Sequence, residues 1–151
     1  MSTTNEGFTA PPVEEKPWHA AFPSPTSKPV RVEAEELRKW IELKPKLDDR
    51  DWIVIDVRRT DFEVAFIKGA INLPAHSFYQ TLPSLLPILT RYSNVVFHCQ
   101  SSSGRGPRCA GWYQDALDER GIKNSEAVVL TGGIKRWVEL YGEDGEATTK
   151  L

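Results

Sequence analysis

Two spacings of apolar residues alternate along the chain: short continuous runs, which read as buried strands, and recurrences every third or fourth position, which read as one helix face. Val30-Arg31-Val32 opens extended, and Leu37, Trp40 and Ile41 then share a helical face. Trp52-Ile53-Val54-Ile55 is apolar up to Asp56, as in a strand covered on both sides. Gly69-Ala70-Ile71-Asn72-Leu73-Pro74 is a weaker strand candidate, closed by its proline. Phe78, Leu82, Leu85, Leu86 and Leu89 have helical spacing, but Pro83 and Pro87 interrupt them, so a broken helix is expected. Val95-Val96-Phe97 predicts a strand running into His98-Cys99, and Ala110, Tyr113, Ala116 and Leu117 predict a helix ending near Gly121. Ala127-Val128-Val129-Leu130 is a further buried run, and Ile134, Trp137, Val138 and Tyr141 mark the last helix. This alternation predicts a single α/β domain whose mostly parallel central sheet of about five strands is flanked by helices. Sites in such sheets gather at the carboxyl ends of strands, and Cys99 stands at one of them.

The flanks differ in composition. Pro11, Pro12, Pro17, Pro23, Pro25 and Pro29 make residues 1–29 a Pro-rich extension, expected to be flexible, in which Trp18 and Phe22 are able to dock. Residues 30–142 are the expected domain. Residues 143–151, led by Glu143, Asp144 and Glu146, read as an acidic flexible tail.

A length of 151 residues, with 40% hydrophobic and 26% charged residues, suits one globular domain. A formal net charge of −2 argues against nucleic acid or an anionic membrane as partner. No apolar run approaches the ~20 residues of a membrane span, and the first residues lack a signal-like basic and apolar pattern. Composition gives no guide to oligomeric state. The two cysteines, Cys99 and Cys109, are too few for a disulfide framework or a four-cysteine zinc site, and His19, His76 and His98 are scattered. No metal site is expected. This cysteine usage fits a reducing compartment, cytoplasm or nucleus.

The stretch His98-Cys99-Gln100-Ser101-Ser102-Ser103-Gly104-Arg105-Gly106-Pro107-Arg108 carries the candidate chemistry. A strand ends, small polar residues follow, and Pro107 suits the first turn of a helix. The loop thus feeds a helix N-terminus, whose free N–H groups and dipole favour negative charge. That field favours the thiolate of Cys99, the nucleophilic form. It also supplies a cradle for a tetrahedral oxyanion, with residues 100–105 giving backbone donors and Arg105 a planar two-oxygen clamp. Nucleophile, cradle and clamp together describe attack on a phosphorus-like centre.

His-Cys-x5-Arg-Gly-Pro-Arg resembles the loop of the rhodanese-fold phosphatases, which include the dual-specificity phosphatases that activate cyclin-dependent kinases, and it is similar to that of the related eukaryotic arsenate reductases. Val54-Ile55-Asp56-Val57-Arg58 resembles the family's "hhDhR" strand end. Ile67-Lys68-Gly69-Ala70-Ile71-Asn72-Leu73-Pro74 resembles its "HIxGAxNxP" segment, and Leu130-Thr131-Gly132-Gly133-Ile134 with Trp137 its "LxGGxxxW". The resemblance spans about residues 30–142 and implies a rhodanese-like domain. Sulfurtransferases of this fold have a loop one residue shorter, so the span from Cys99 to Arg105 implies an oxyanion substrate over a sulfane sulfur. The sequence departs from the cell-cycle phosphatases in three places: Gln100 and Gly104 stand where they carry acidic loop residues, Phe66 stands where the family has His, and little follows Tyr141.

The expected function is a small stand-alone cysteine-dependent phosphatase acting on phosphotyrosyl, dual-specificity or aryl phosphate substrates. Alternatives are an arsenate reductase using glutathione and glutaredoxin as co-substrates, a thiosulfate-type sulfurtransferase, and a non-catalytic anion- or phosphoprotein-binding module. No cofactor is expected for the phosphatase. Cys99 is the expected nucleophile and Arg105 the clamp, with Ser101, Ser102 and Ser103 as further donors or plain turn residues. Asp56 reads as a loop organiser before a proton donor, and His98 as a buried residue shaping the loop, facing away from Cys99. Arg58, Arg59 and Arg108 are candidates for positive potential at the mouth. Cys109 reads as a core-facing helix residue, with a resolving thiol as the alternative.

Overall fold

Three strands buried along nearly their whole length, β2 (Trp52–Asp56), β5 (Asn94–His98) and β6 (Glu126–Leu130), form the middle of the sheet in a computed structural model that describes residues 17–151. Strands β1 (Val30–Val32) and β4 (Ile71–Asn72) close its edges in the order β1-β6-β5-β2-β4, and every neighbouring pair is parallel. Side chains alternate between two covered faces, as the pleat requires. Ile53, Ile55, Val95, Phe97, Ala127 and Val129 join one apolar cluster, whereas Trp52, Val54, Val96, Val128 and Leu130 join the other.

Helices α2 (Ala75–Leu89) and α3 (Arg105–Glu119) cover the first face through Phe78, Leu82, Leu86, Tyr113 and Leu117. Helices α1 (Ala34–Leu43) and α4 (Gly133–Tyr141) cover the second through Leu37, Ile41, Ile134 and Trp137. A short antiparallel ribbon of β3 (Ala65–Ile67) and β7 (Thr148–Lys150) completes the fold.

Three expectations change. The first concerns α2, which runs unbroken through Pro83 and Pro87. Both prolines lie four residues apart on the solvent side, so water can satisfy the carbonyls they leave unbonded, while Leu82, Leu86 and Leu89 are held in the core. Tertiary burial outweighs the local break.

The second is the C-terminal segment, which is not a free tail. Thr148, Thr149 and Lys150 pair with Ile67, Phe66 and Ala65. Ala147 is fully buried, Asp144 accepts from Arg38 at 2.8 Å, and the Trp137 indole N–H donates to Thr148 Oγ1 at 3.0 Å. Phe66, standing where the resemblance places a histidine, packs against Phe62 with ring centres 5.4 Å apart.

The third is that residues 17–29 lie along α3 and α2. Phe22 stacks on Tyr79 at 5.2 Å, and the Trp112 indole N–H donates to the Pro23 carbonyl at 2.8 Å. Residues 1–16 of the Pro-rich extension lie outside the described residues.

Candidate active site

Cys99 follows the central strand β5 directly, so the sheet delivers it to the carboxyl end between β2 and β6. Six residues later Arg105 begins α3, with Gly104 as an N-cap that makes no side-chain bond. The first-turn N–H of Gly106 donates to Cys99 Sγ at 3.2 Å, a bond that grows stronger when the sulfur is a thiolate. Gly106 is required by closeness: a Cβ there would lie 3.1 Å from the His98 Cα and 3.2 Å from the Cys99 nitrogen.

A second helix holds the loop from behind. The N–H groups of Ile134 and Lys135, at the start of α4, donate to the carbonyls of Cys99 and Gln100, both at 3.0 Å. Those carbonyls therefore face α4, and the trans peptides turn the N–H groups of Gln100 and Ser101 to the opposite side of the loop. Gly133, at φ +60°, permits this contact, since a Cβ there would come within 2.5 Å of the Cys99 oxygen. Of the two glycines in Leu130-Thr131-Gly132-Gly133, Gly133 thus serves the cysteine loop, whereas Gly132, at φ +81°, turns the chain against Arg136.

Within the loop, Ser101 and Ser103 are exposed and hydrogen-bond each other through their hydroxyls at 2.9 Å. Ser102 is buried at φ +58° with its hydroxyl unpartnered by protein, and Gln100 and Gly104 are exposed. A cavity of about 330 Å³ opens above Cys99, Ser101, Ser103 and Arg105, bounded by Arg108 and by Trp18 and His19 of the N-terminal segment. A larger cavity of about 620 Å³ lies beside Phe22, Tyr79 and Trp112 and has no cysteine or histidine in its lining.

Arg105 is engaged. Its two terminal nitrogens donate to the two carboxylate oxygens of Asp61 at 2.8 and 2.6 Å, a fork-to-fork pair. The Arg105 guanidinium holds the Asp61 carboxyl well below the usual carboxylate range, and Asp61 in turn pushes Arg105 further up. The loop bearing Asp61 is fixed from beneath. Buried Arg58 clasps buried Asp56 through Nε and Nη2, the latter at 2.8 Å, and donates to the carbonyls of Asp61, Glu63 and Ala65. Asn72 donates to the carbonyls of Asp56 and Arg58 at 2.9 and 2.8 Å. Val64 is held at φ +72°, a conformation a β-branched residue accepts only under such restraint.

These bonds settle several placements. Asp56 is consumed by Arg58 and organises the Asp61 loop. Arg58 is not at the mouth, because only 2% of it is exposed and its charge is neutralised within the fold. Arg108 lines the cavity. His98 is fully buried, with Nδ1–H donating to the Cys99 carbonyl at 3.0 Å and Nε2 lying 3.6 Å from Asp56. Burial lowers its pKa against the opposing pull of Asp56, so the ring is neutral. Cys109 is on the core-facing side of α3, where burial pushes its thiol up, and both cysteines are free.

Asp61, Trp18, His19 and His76 join the site without a signal in the sequence pattern. Asp61 lies 44 positions from Arg105. His76, at the start of α2, packs against Trp18 in a tilted arrangement with ring centres 4.8 Å apart; burial, then the charges of Arg59 and Arg105, lower its pKa.

Residues 39–140 match the rhodanese-like domain. The chain belongs to that family. Within it, this is a phosphatase and arsenate-reductase type of rhodanese fold. A CDC25-like phosphatase of Saccharomyces cerevisiae, YCH1, is 30% identical over 129 residues, covering 78% of this chain and 86% of its own. Arsenate reductase 2.2 of Oryza sativa subsp. japonica is 37% identical over 106 residues, covering 67% and 79%. Among solved structures, Ygr203w, a yeast protein tyrosine phosphatase of the rhodanese family, superposes with a TM-score of 0.67 at 27% identity over 82% of this chain and 93% of its own. No described helix is long and apolar enough to cross a membrane.

Proposed function

We propose that the protein is a cysteine-dependent phosphatase acting on phosphate monoesters. The observation that carries this reading is the meeting, at one cavity, of Cys99 Sγ, a helix N-terminus donating to it, and Arg105 at the far end of a seven-residue loop. In the reaction, the phosphate takes the Arg105 fork from Asp61. The Cys99 thiolate then attacks phosphorus as the P–O bond to the leaving group breaks, giving a Cys99 thiophosphate and an alcohol or phenol that takes up a proton. Water cleaves the P–S bond, releasing inorganic phosphate and restoring the thiolate. Arg105 and the loop amides carry the charge on the equatorial oxygens through both steps.

A second reading rests on the likeness to arsenate reductase 2.2. In it Cys99 attacks arsenate, an oxygen leaving as water, to form a thioarsenate; one glutathione then attacks the Cys99 sulfur, the S–As bond breaks to release arsenite, and glutaredoxin with a second glutathione reduces the resulting mixed disulfide. One side-by-side experiment separates the two. Purified protein and Cys99→Ser are assayed with an aryl phosphate, with arsenate plus glutathione and glutaredoxin, and with thiosulfate plus cyanide. Hydrolysis of the ester, lost to background in Cys99→Ser, is expected. Equal rates for the two proteins would remove the phosphatase reading, and Cys99-dependent arsenite without ester hydrolysis would replace it.

A further inference from the structure

The cavity above Cys99 is too large for the group that the loop grips. At roughly 30 Å³ per water, about 330 Å³ is the space of some ten waters, several times that of one tetrahedral oxyanion. The excess is bounded by rings. Trp18 and His19 face the cavity and meet edge to face with centroids 5.2 Å apart. Trp18 is backed by His76 at 4.8 Å and by Trp112 at 5.9 Å. An aromatic wall thus stands beside an anion clamp.

The wall is anchored, not adventitious. Asp115 on α3 accepts from the backbone N–H groups of Thr26 and Ser27 at 2.8 and 2.9 Å and from both hydroxyls. Trp112, only 2% exposed, donates to Pro23. Gly111 lets the segment run close to the helix, since a Cβ there would lie 2.6 Å from Pro25 Cβ. Pro23 and Pro25 lower the entropy lost in holding the segment extended.

We propose that residues 17–27 form a recognition strap, and that Trp18 and His19 on it are specificity-determining residues that receive a flat aromatic leaving group. The substrate class this wall selects is an aryl phosphate monoester, of which a phosphotyrosyl side chain is one, over an alkyl phosphate or a bare oxyanion. This rests on the phosphatase reading for its chemistry, and on the cavity alone for its binding preference. An aryl ring entering the excess space sheds water where it meets Trp18 and His19, and meets them in the offset or edge-to-face arrangements that aromatic pairs favour.

The test uses ligands that cannot be hydrolysed. In the Cys99→Ser protein, phenylphosphonate and methylphosphonate are titrated by calorimetry, with and without Trp18→Ala or Trp18→Phe. Phenylphosphonate is expected to bind about tenfold more tightly than methylphosphonate. Trp18→Ala is expected to erase that preference while leaving methylphosphonate within twofold, and Trp18→Phe to restore most of it. Asp115→Ala, which frees the strap without touching the cavity, is expected to act like Trp18→Ala. A preference unchanged in Trp18→Ala overturns the proposal. So does an equal loss for both ligands, which would mean that Trp18 only braces the loop. The wild-type protein in the ester assay reports separately: no hydrolysis alongside an intact phenyl preference ends the phosphatase reading and leaves the wall standing.

Discussion

Replacing Asp61 by Asn is expected to tighten the binding of an oxyanion. The Asp61 carboxylate occupies both nitrogens that Arg105 must offer to substrate, so a ligand has to displace it. The Arg105 and Asp61 side chains are 23% and 36% exposed, which places the pair among screened, surface-type interactions despite its two-point geometry. Its strength is therefore taken as about 1 kcal/mol, the upper end for exposed pairs. Removing it should raise affinity about fivefold by the usual conversion. The assay is calorimetric titration of the Cys99→Ser protein with sulfate, a tetrahedral dianion that does not titrate near neutrality, with Asp61 intact and replaced. Asp61 is a carboxyl lowered from its ordinary value, so its pairing is fully present above the usual carboxylate range and is lost only as pH falls well below it. The fivefold ratio should accordingly stay flat from pH 5 to 8. Unchanged or weaker sulfate binding in Asp61→Asn would refute the reasoning, because Asp61 would then be holding Arg105 in its binding pose.

Arg58→Met should cost about 3–5 kcal/mol in urea unfolding, since it leaves the Asp56 carboxylate buried without its partner; a loss under 1 kcal/mol would show that the pair is not what holds the Asp61 loop. His98, buried and neutral, binds its proton less readily than in the unfolded chain, so stability falls as pH drops below about 6.5, the unfolded value. Replacing it with Asn should reduce that slope by up to one proton, about 1.4 kcal/mol per pH unit, on the acid side of pH 6.5, and identical slopes in unfolding at several pH values below it would show that His98 does not titrate there.

What the sequence determined was what neighbours along the chain decide. Continuous apolar runs at Trp52–Ile55, Val95–Phe97 and Ala127–Leu130, short and rich in β-branched residues, suit strands covered on both faces, and these are the three central strands. The cysteine loop was legible for a similar reason: a strand end, small residues and Pro107 dictate a strand-to-helix turn whatever surrounds it. Tertiary structure decided matters that depend on residues far apart. Pro83 and Pro87 forbid a helix locally, yet burial of Leu82, Leu86 and Leu89 on one side carries α2 through them. The acidic stretch after Tyr141 looks solvated, but an unpaired edge at Ala65–Ile67 recruits it as β7. Arg58 reads as a free charge until the fold buries it against Asp56, and Trp18 reads as part of a loose extension until α3 offers Trp112 and Asp115. The loop His98–Arg108 announced a nucleophile and a clamp. Which carboxylate holds that clamp at rest, and which rings stand over it, followed only from segments that meet in space, because ion pairs and ring contacts depend on distance and carry no period along the chain.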